Sequence, residues 1–359
     1  MRATLARVLT AAGYVVDAVG EPAEALERLA TSRVDVLVAS DALGVEPVLT
    51  LLGEARSTFP GVMRLLHVGP GGAYGEAAVS EGLAHRLLHR PFQVEQLEAE
   101  IRGLEQTAGF VRSAIDRAAD RALHSRMFQE CVEGDMLGLA WQPIVRPTER
   151  LPVAVELLLR SRHPRLTGPL SVLEAVERCS RVSDLGVCVN RLAAGWLQRL
   201  PPALDVFVNT HPAQFGDATV LEQFAPLEPW ADRVVLEITE RAPIADFEGA
   251  EDVLNELTRR GFRIAVDDIG SGYNSLAVLA ELQPAFIKAD MSIVRNMDRE
   301  ARKQRLIQLL ASFASATGAE LIAEGVETEE EELAAARFGA HLIQGYHVGR
   351  PALEWAGAA

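Results

Sequence analysis

The chain has 359 residues, a length that predicts two or three domains rather than one small domain. Hydrophobic residues make up 48% of it and charged residues 24%, which excludes the disordered, fibrous and disulfide-dense classes. The formal net charge of −15 at pH 7 repels nucleic acid and anionic membranes, so we expect neither as a partner. An anionic ligand would have to be held locally, by metal ions or by a few cationic side chains at the binding site.

The cysteine content favours a reducing compartment. Cys131, Cys179 and Cys188 form no CxxC pair, which argues against a disulfide framework or a zinc site and predicts a cytoplasmic protein. The N-terminal apolar stretch 8–16 is followed by acidic residues without a clear cleavage site, so we interpret it as a helix that runs into a strand. No stretch of 18 apolar residues is free of charge, and we expect no transmembrane span.

Helical and strand patterns alternate over residues 1–105, which predicts a small parallel α/β domain. The predicted elements are helices over 3–13 and 22–30 and strands over 14–19, 34–40 and 63–69. The glycine-rich turn 69–75 lacks the Gly-Lys-Ser/Thr ending of a phosphate loop and predicts a plain connection from a strand to a helix.

Residues 106–137 are predicted to form a linker helix and a possible coiled coil. Apolar residues recur at alternating steps of three and four from Val94 to Ala122, which is a heptad seam. Two interpretations remain open at this point. Either the first half of the seam packs on its own domain and the rest is a linker, or the seam joins two copies of the chain in a homodimer.

The third region, 138–359, is predicted to be a (β/α)8 barrel, with a doubly wound sheet as the alternative. Eight candidate strands alternate with helical patterns: 139–145, 152–159, 204–210, 233–239, 262–268, 285–290, 319–325 and 340–346. The fold class is therefore α/β, with a small parallel α/β domain and a linker helix before the barrel.

Polar residues interrupt these apolar strands, mostly toward the carboxyl-terminal ends, where barrel enzymes place catalytic groups. They are Glu156, Asn209, Glu237, Asp267, Asp268, Lys288, Glu324 and Gln344. A single acid at such a place is explained by pairing with an arginine or a helix N-terminus. Five converging carboxylates call for cations, since an unpaired buried carboxylate is strongly destabilising.

The residue types also indicate which cations. Carboxylate and amide oxygens without nearby cysteine or histidine select Mg²⁺ or Mn²⁺. The adjacent pair Asp267 and Asp268 suits two ions, an arrangement used in phosphoryl chemistry. Lys288 is one of only two lysines in the chain, which suggests a compact ammonium that contacts a water or a phosphate oxygen, with a paired core lysine as the alternative.

An ordered series of short motifs runs through this region: QPI (142–144), ELLLR (156–160), VNT (208–210), LEITE (236–240), DDIGSGYNSL (267–276), KAD (288–290), AEGVET (323–328) and QGY (344–346). The series resembles the EAL-domain cyclic-di-GMP phosphodiesterases. The resemblance implies a modified, TIM-like (β/α)8 barrel that hydrolyses cyclic di-GMP to linear pGpG in bacterial second-messenger signalling. It also implies two divalent cations, Mg²⁺ or Mn²⁺, with Ca²⁺ inhibitory.

The resemblance further implies a role for each site residue. One metal ion would be held by Glu156, Asn209, Glu237 and Asp267, and the second by Asp267 and Asp268. Three of these ligands, Glu156, Asp267 and Asp268, would act in catalysis. Lys288 and Glu324 would position and deprotonate the attacking water. Arg160 would clamp a substrate phosphate, and Gln142 and Gln344 would line the substrate site.

The resemblance also implies roles for two further acids, and the chain departs from the family's usual residues at several positions. Glu240 would anchor the loop 267–276 and Glu327 would support the site from behind the ligands, with ordinary helix-start or loop hydrogen bonding as the alternative for both. The signature triplet is Glu-Leu-Leu instead of Glu-Ala-Leu, which keeps the ligand. The loop carries Ile269, Ser271 and Asn274 where Phe, Thr and Ser are usual, and this leaves substrate affinity and loop-dependent regulation open.

The segment 1–105 resembles a response-regulator receiver domain whose first strand is missing, through GYVVDAV, PAEALERL, DVLVASD and HRPF. Ser40 stands at the phosphoacceptor position, Val68 at that of the switch threonine and Arg90 at that of the lysine. Asp41 as a shifted acceptor would lack the acidic pair that holds Mg²⁺. We interpret the domain as a degenerate receiver that docks an unknown protein partner or dimerises without phosphorylation. A start codon further upstream would restore the strand but not the acceptor.

Three functions are therefore compared: an active phosphodiesterase, a catalytically inactive cyclic-di-GMP receptor, and a protein-interaction scaffold. The complete set of acids and Lys288 favours the enzyme.

Overall fold

A computed structural model describes residues 2–149, 151–217, 219–239, 249–270, 279 and 282–355. The chain forms two compact units, residues 1–120 and residues 121–359. Within the described ranges, no helix combines the length and the apolar character that a membrane crossing requires.

The first unit contains a three-stranded parallel sheet in the order β1-β2-β3. Its elements are α1 (Arg2–Ala11), α2 (Pro22–Thr31), β1 (Val36–Ser40), α3 (Val45–Thr58), β2 (Met63–Val68), α4 (Tyr74–Ser80) and β3 (Arg86–His89). The central strand β2 is buried along its whole length, as expected for a parallel strand covered on both faces. Leu9 and Leu65 lie in the core on one face, and Leu52 and Leu66 in the core on the other.

The predicted strand over 14–19 is wrong. This segment has no regular secondary structure, and Val15 is fully exposed. In the described part of the chain β1 pairs only with β2, so no described strand pairs with this segment. An apolar run becomes a strand only when another strand accepts its backbone hydrogen bonds.

One long helix, α5 (Val94–Glu133), follows the sheet and includes most of the predicted linker segment. The first half of the heptad seam is used inside the first unit, because Leu97 and Ile101 are buried in the same core as Leu65. Further along the seam, Ile115 and Ala118 are exposed.

The second unit is a closed eight-stranded barrel in the order β10-β11-β4-β5-β6-β7-β8-β9, which confirms the predicted fold class. Its strands are β4 (Leu137–Val145), β5 (Pro152–Ser161), β6 (Asp205–Thr210), β7 (Val234–Thr239), β8 (Arg263–Ile269), β9 (Phe286–Ala289), β10 (Glu320–Ala323) and β11 (Leu342–Gln344). β4 is antiparallel to both its neighbours, and the other neighbouring strands run parallel. Each of the eight predicted strands is present.

Helices connect the barrel strands. Among the described residues they include the α-helices α6 (Pro169–Arg178), α7 (Val182–Leu197), α8 (Val220–Gln223), α9 (Ala250–Arg259), α10 (Met291–Val294), α11 (Ala301–Thr317) and α12 (Glu329–Arg337) and the 3-10 helices Pro212–Gly216 and Ala225–Arg233. Their buried residues pack in two large apolar clusters outside the barrel, on opposite halves of its circumference.

Candidate active site

The interior of the barrel is built in two layers. The first is apolar and takes one side chain from each strand: Ile144, Ala154, Phe207, Val235, Ala265, Phe286, Ile322 and Leu342. Two residues further along a strand, the side chain returns to the same face. In the seven parallel strands that position, toward the carboxyl end, holds Glu156, Asn209, Glu237, Asp267, Lys288, Glu324 and Gln344. In the antiparallel β4, the equivalent position is Gln142, two residues before Ile144.

Lys288 lies at the centre of this polar layer and is 1% exposed. Its Nζ is 2.7 Å from Glu324 Oε1, 3.3 Å from Glu156 Oε2 and 3.3 Å from Asp267 Oδ1, and it also forms an ion pair with Glu237. A single ammonium therefore pairs with four carboxylates.

Amide side chains hold the carboxylates of Glu156 and Glu237 in place. Asn209 Nδ2 donates to Glu156 Oε1 at 3.0 Å and to Glu237 Oε2 at 2.9 Å. Gln344 Nε2 donates to Glu156 Oε2 at 2.6 Å and to Gln142 Oε1 at 3.2 Å. The Oε1 atom of Gln344 is buried and has no hydrogen-bond partner in the described part of the chain. The two glutamines thus lie beside Glu156, with one acceptor open to a further donor.

A bulge in β8 brings two consecutive aspartates to the site. Val266 pairs with Ile287, but the next paired residue of β8 is Ile269, which pairs with Ala289, so β8 contains one extra residue. Asp268 has a φ of +60°, in the left-handed region. In a regular strand the two side chains would point to opposite faces. Here the carboxylate oxygens of Asp267, Asp268 and Glu324 lie within 4.8 Å of one another.

The electrostatics of the layer show an excess of negative charge. Burial raises the pKa of Glu237, the charge of Glu156 adds to this rise, and the pKa lies well above its usual range. Burial likewise raises the pKa of Glu324 well above its usual range, despite the nearby ammonium. Burial alone would lower the pKa of Lys288, but the surrounding carboxylates, Asp267 first, raise it well above its usual value.

Glu156 differs from the other two glutamates. Burial raises its pKa, but the charge of Lys288 and the hydrogen bonds from Gln344 and Asn209 outweigh burial, and its pKa is lowered. Two neighbouring carboxyl groups therefore have opposite pKa shifts, because the ammonium and two amides lower the pKa of Glu156 while burial and the charges of Glu156 and Asp267 raise that of Glu237.

The residues present fit divalent cations. Five carboxylates face one ammonium, so the ionised cluster lacks positive charge, and its donors are all oxygen or amide groups. Such a set matches Mg²⁺ or Mn²⁺ rather than zinc.

The remaining predicted site residues lie around this layer or outside the described residues. Arg160 is half-buried on the same strand face as Glu156, four residues further along β5, and its Nη1 donates to the carbonyl of Leu159 at 2.8 Å. Glu327 is at the surface and forms a bidentate ion pair with Arg295. Glu240 and residues 271–276 of the predicted loop fall outside the described residues.

Sequence reasoning gave no role in the site to Glu331 and Glu332. Both are 2% exposed, whereas their neighbour Leu333 is 53% exposed. A helical period through the small residues Ala334 and Ala335 is a sequence signal that could have placed Glu331 on the buried face.

The fold and site define a class: an eight-stranded α/β barrel whose strands carry an acidic, cation-suited centre around one buried lysine. The EAL domain family model matches residues 125–351. The chain therefore belongs to the EAL-domain family.

A curated relative and two solved structures show the extent of the similarity. The cyclic di-GMP phosphodiesterase PA2567 of Pseudomonas aeruginosa is 32% identical over 252 residues, which are 67% of this chain and 43% of that protein. The chain thus spans less than half the length of this curated relative. The PaMucR phosphodiesterase in its c-di-GMP complex is 25% identical with a TM-score of 0.57, over 64% of this chain and 97% of that one. BlrP1 of Klebsiella pneumoniae, in a manganese and cyclic-di-GMP complex, is 27% identical with a TM-score of 0.55, over 60% of this chain and 56% of that one.

Proposed function

We propose that the barrel hydrolyses one phosphodiester bond of cyclic di-GMP to give linear pGpG, with two Mg²⁺ or Mn²⁺ ions as cofactors. The observation that carries this proposal is the polar layer, in which one buried lysine pairs with four carboxylates contributed by separate strands or strand ends. The names of PA2567 and PaMucR support cyclic di-GMP as the substrate.

In the proposed reaction, the oxygen of water forms a bond to phosphorus, the bond from phosphorus to the 3′ oxygen breaks, and that oxygen takes up a proton. Glu156, Asn209, Glu237 and Asp267 would hold one cation, and Asp267 with Asp268 the other. Bound there, the cations would make water a stronger nucleophile and stabilise the charge that develops on the leaving oxygen.

The side chains of the chain itself provide orientation and charge. Glu324, whose carboxylate lies 2.7 Å from the ammonium of Lys288, would accept the proton of the attacking water, and Lys288 would donate a hydrogen bond that orients that water. Arg160 has a guanidinium suited to a bidentate phosphate contact at the end of β5. Gln142 and Gln344 would orient the substrate beside Glu156. A protein with a net charge of −15 needs these local cations to hold an anionic nucleotide.

The test is incubation of the purified protein with cyclic di-GMP and Mn²⁺, with the products separated by chromatography. We expect pGpG to appear with Mn²⁺ or Mg²⁺, and none with EDTA or with Ca²⁺ alone. Unchanged substrate in Mn²⁺ would contradict the enzyme. A calorimetric titration of cyclic di-GMP would then separate a receptor, which binds, from a scaffold, which does not.

The same proposal includes a cytoplasmic location and a homodimer. In the described part of the chain, the exposed seam residues Ile115 and Ala118 provide the apolar side chains for contact between two copies.

For the first unit, the proposal is a receiver-like domain that works without phosphorylation and docks a protein partner. Asp41 is the acid nearest the predicted acceptor position, and both its oxygens are in use. Oδ2 accepts from the Gly69 N–H at 2.7 Å and from the Tyr74 hydroxyl at 2.9 Å, and Oδ1 pairs with Arg90. Burial and the hydrogen bond to Asp41 raise the pKa of Tyr74 to about 12, so its hydroxyl stays a donor.

We expect Asp41→Asn to lower the free energy of unfolding by about 1–3 kcal/mol at pH 7, because it weakens three hydrogen bonds to a charged group. Burial raises the pKa of Asp41, but the hydrogen bonds and Arg90 outweigh it, so the folded-state pKa is lowered. This stabilisation is complete above the unfolded-state pKa of about 3.9 and is lost as the pH falls through the lower folded-state value.

Thermal unfolding of the wild type and of Asp41→Asn, followed by circular dichroism from pH 7 to pH 3, measures the effect. The two midpoints should converge at the acid end. The exposed Asp17→Asn is the matched control and should leave the midpoint unchanged at every pH. A difference for Asp41→Asn that stays constant down to pH 3 would contradict the assignment.

A further inference from the structure

Two adjacent glutamates, Glu331 and Glu332, are buried in the first turn of α12. An ionised carboxylate is destabilising in such a place unless it is paired. The favourable interaction with the helix N-terminus does not require burial, since the exposed Glu329 and Glu330 in the same turn provide it. The burial of Glu331 therefore has another cause, which lies in its contacts.

The carboxylate of Glu331 joins two separate segments of the barrel. Its Oε1 accepts a hydrogen bond from the Asn296 N–H at 2.8 Å, and its Oε2 accepts one from the Glu327 N–H at 2.8 Å. Asn296 lies in the segment after β9, with a φ of +58°, and Glu327 lies in the segment after β10. The Thr328 hydroxyl accepts from the Glu331 N–H and so holds the start of the helix.

These two segments are in close contact along their length. Gly325 has a φ of +66°, and a Cβ there would lie 2.5 Å from Cβ of Met291. Closer to solvent, the bidentate pair between Arg295 and Glu327 joins the same segments a second time. The segments therefore form one block, and Glu331 is its buried link.

The block follows directly from the two strands that carry Lys288 and Glu324. Glu324 lies three residues before Glu327, and the strand β9 that carries Lys288 leads into the Asn296 segment. We propose that Glu331 is a positioning residue, which holds Glu324 within hydrogen-bond distance of Lys288 and within 4.8 Å of the carboxylate oxygens of Asp267 and Asp268. This inference rests on the proposed function and adds a residue to it that touches neither substrate nor cation.

The test compares Glu331→Gln with Glu329→Gln, which makes the same change of charge on an exposed residue of the same helical turn. An amide at position 331 can accept one backbone N–H but presents its own NH₂ to the other. We expect Glu331→Gln to weaken Mn²⁺ binding by about 10-fold and to lower kcat by about 10–100-fold, with KM for cyclic di-GMP within about 3-fold. Glu329→Gln should match the wild type in all three.

Calorimetric titration with Mn²⁺ alone keeps the inference separate from the proposed function. If the wild type does not hydrolyse cyclic di-GMP, the function fails, but weaker Mn²⁺ binding by folded Glu331→Gln still supports the positioning role. Equal Mn²⁺ binding by Glu331→Gln and Glu329→Gln overturns it.

If Glu331→Gln does not fold, Arg295→Gln loosens the same block from the surface. We expect Arg295→Gln to weaken Mn²⁺ binding less than Glu331→Gln is expected to, and to leave the unfolding midpoint unchanged. An unchanged affinity in this variant would overturn the proposal.

Discussion

Lys288→Met is expected to abolish turnover and to lower the free energy of unfolding of the metal-free protein by roughly 3–5 kcal/mol, the usual effect of removing one partner from a buried ion pair. The ammonium is 1% exposed and pairs with four carboxylates. Without it, these acids have no cation among them and must either repel one another or bind protons. Urea unfolding in EDTA measures the stability, and product formation from cyclic di-GMP measures the turnover.

The other lysine of the chain, Lys303, provides a matched control. It donates to the carbonyl of Arg295 at 2.6 Å and is a partly exposed residue outside the polar layer. We expect Lys303→Met to lower the free energy of unfolding by about 1 kcal/mol or less.

Mn²⁺ distinguishes lost charge from lost packing in Lys288→Met. A divalent cation supplies the missing positive charge, so saturating Mn²⁺ should raise the unfolding midpoint of this variant more than that of the wild type. Equal stability of Lys288→Met and the wild type in EDTA would contradict the description of Lys288 as the central cation.

Asp267→Asn is expected to lower turnover by at least about 10³-fold, which corresponds to about 4 kcal/mol of transition-state stabilisation. Asp267 is the side chain that would contact both cations, and an amide is neutral and cannot bridge two of them as well as a carboxylate. The fold should remain intact. In the wild type the Asp268 N–H donates to Asp267 Oδ1 at 2.9 Å, and the amide oxygen of the variant can still accept this hydrogen bond. The substitution also removes one charge from a cluster with an excess of negative charge.

Three measurements separate these effects: turnover, Mn²⁺ affinity by calorimetry, and the unfolding midpoint in EDTA. For Asp267→Asn we expect the first two to fall and the third to stay level or rise. The exposed Asp252→Asn on α9 is the control and should change none of them. Retained turnover in Asp267→Asn would contradict its assignment as a shared ligand, and a large loss of stability would contradict the electrostatic argument.

Much of the barrel and of its polar layer could be predicted from the sequence. Each parallel strand has a short apolar run followed by a polar residue, and the period of two along a strand determines which residues share a face. Glu156, Asn209 and Glu237 lie together in the structure for this reason, since closing the sheet brings equivalent positions of neighbouring strands side by side.

Other features of the same residues depended on the tertiary structure. The sequence contains the pair Asp267 and Asp268, but a regular strand would separate their side chains. They converge because the pairing with β9 leaves one residue over and Asp268 adopts a positive φ. Register with a neighbouring strand is a non-local property, so no local pattern in β8 predicts it.

The N-terminal segment 14–19 and the start of α12 both show that local composition does not determine strand pairing or burial. Residues 14–19 have the composition of a strand but form none, because a strand needs a hydrogen-bonded partner and no described strand pairs with them. Glu331 has the composition of a solvated helix start but is buried, because it accepts from the N–H of Asn296, which is far away in the chain, as well as from the nearby N–H of Glu327. Local periodicity and residue type were enough to predict an α/β fold with a barrel or a doubly wound sheet, and to predict the chemical character of the site. Which segments pair, which acid is buried and which oxygens meet became visible only in three dimensions, since these depend on contacts between residues far apart in the chain.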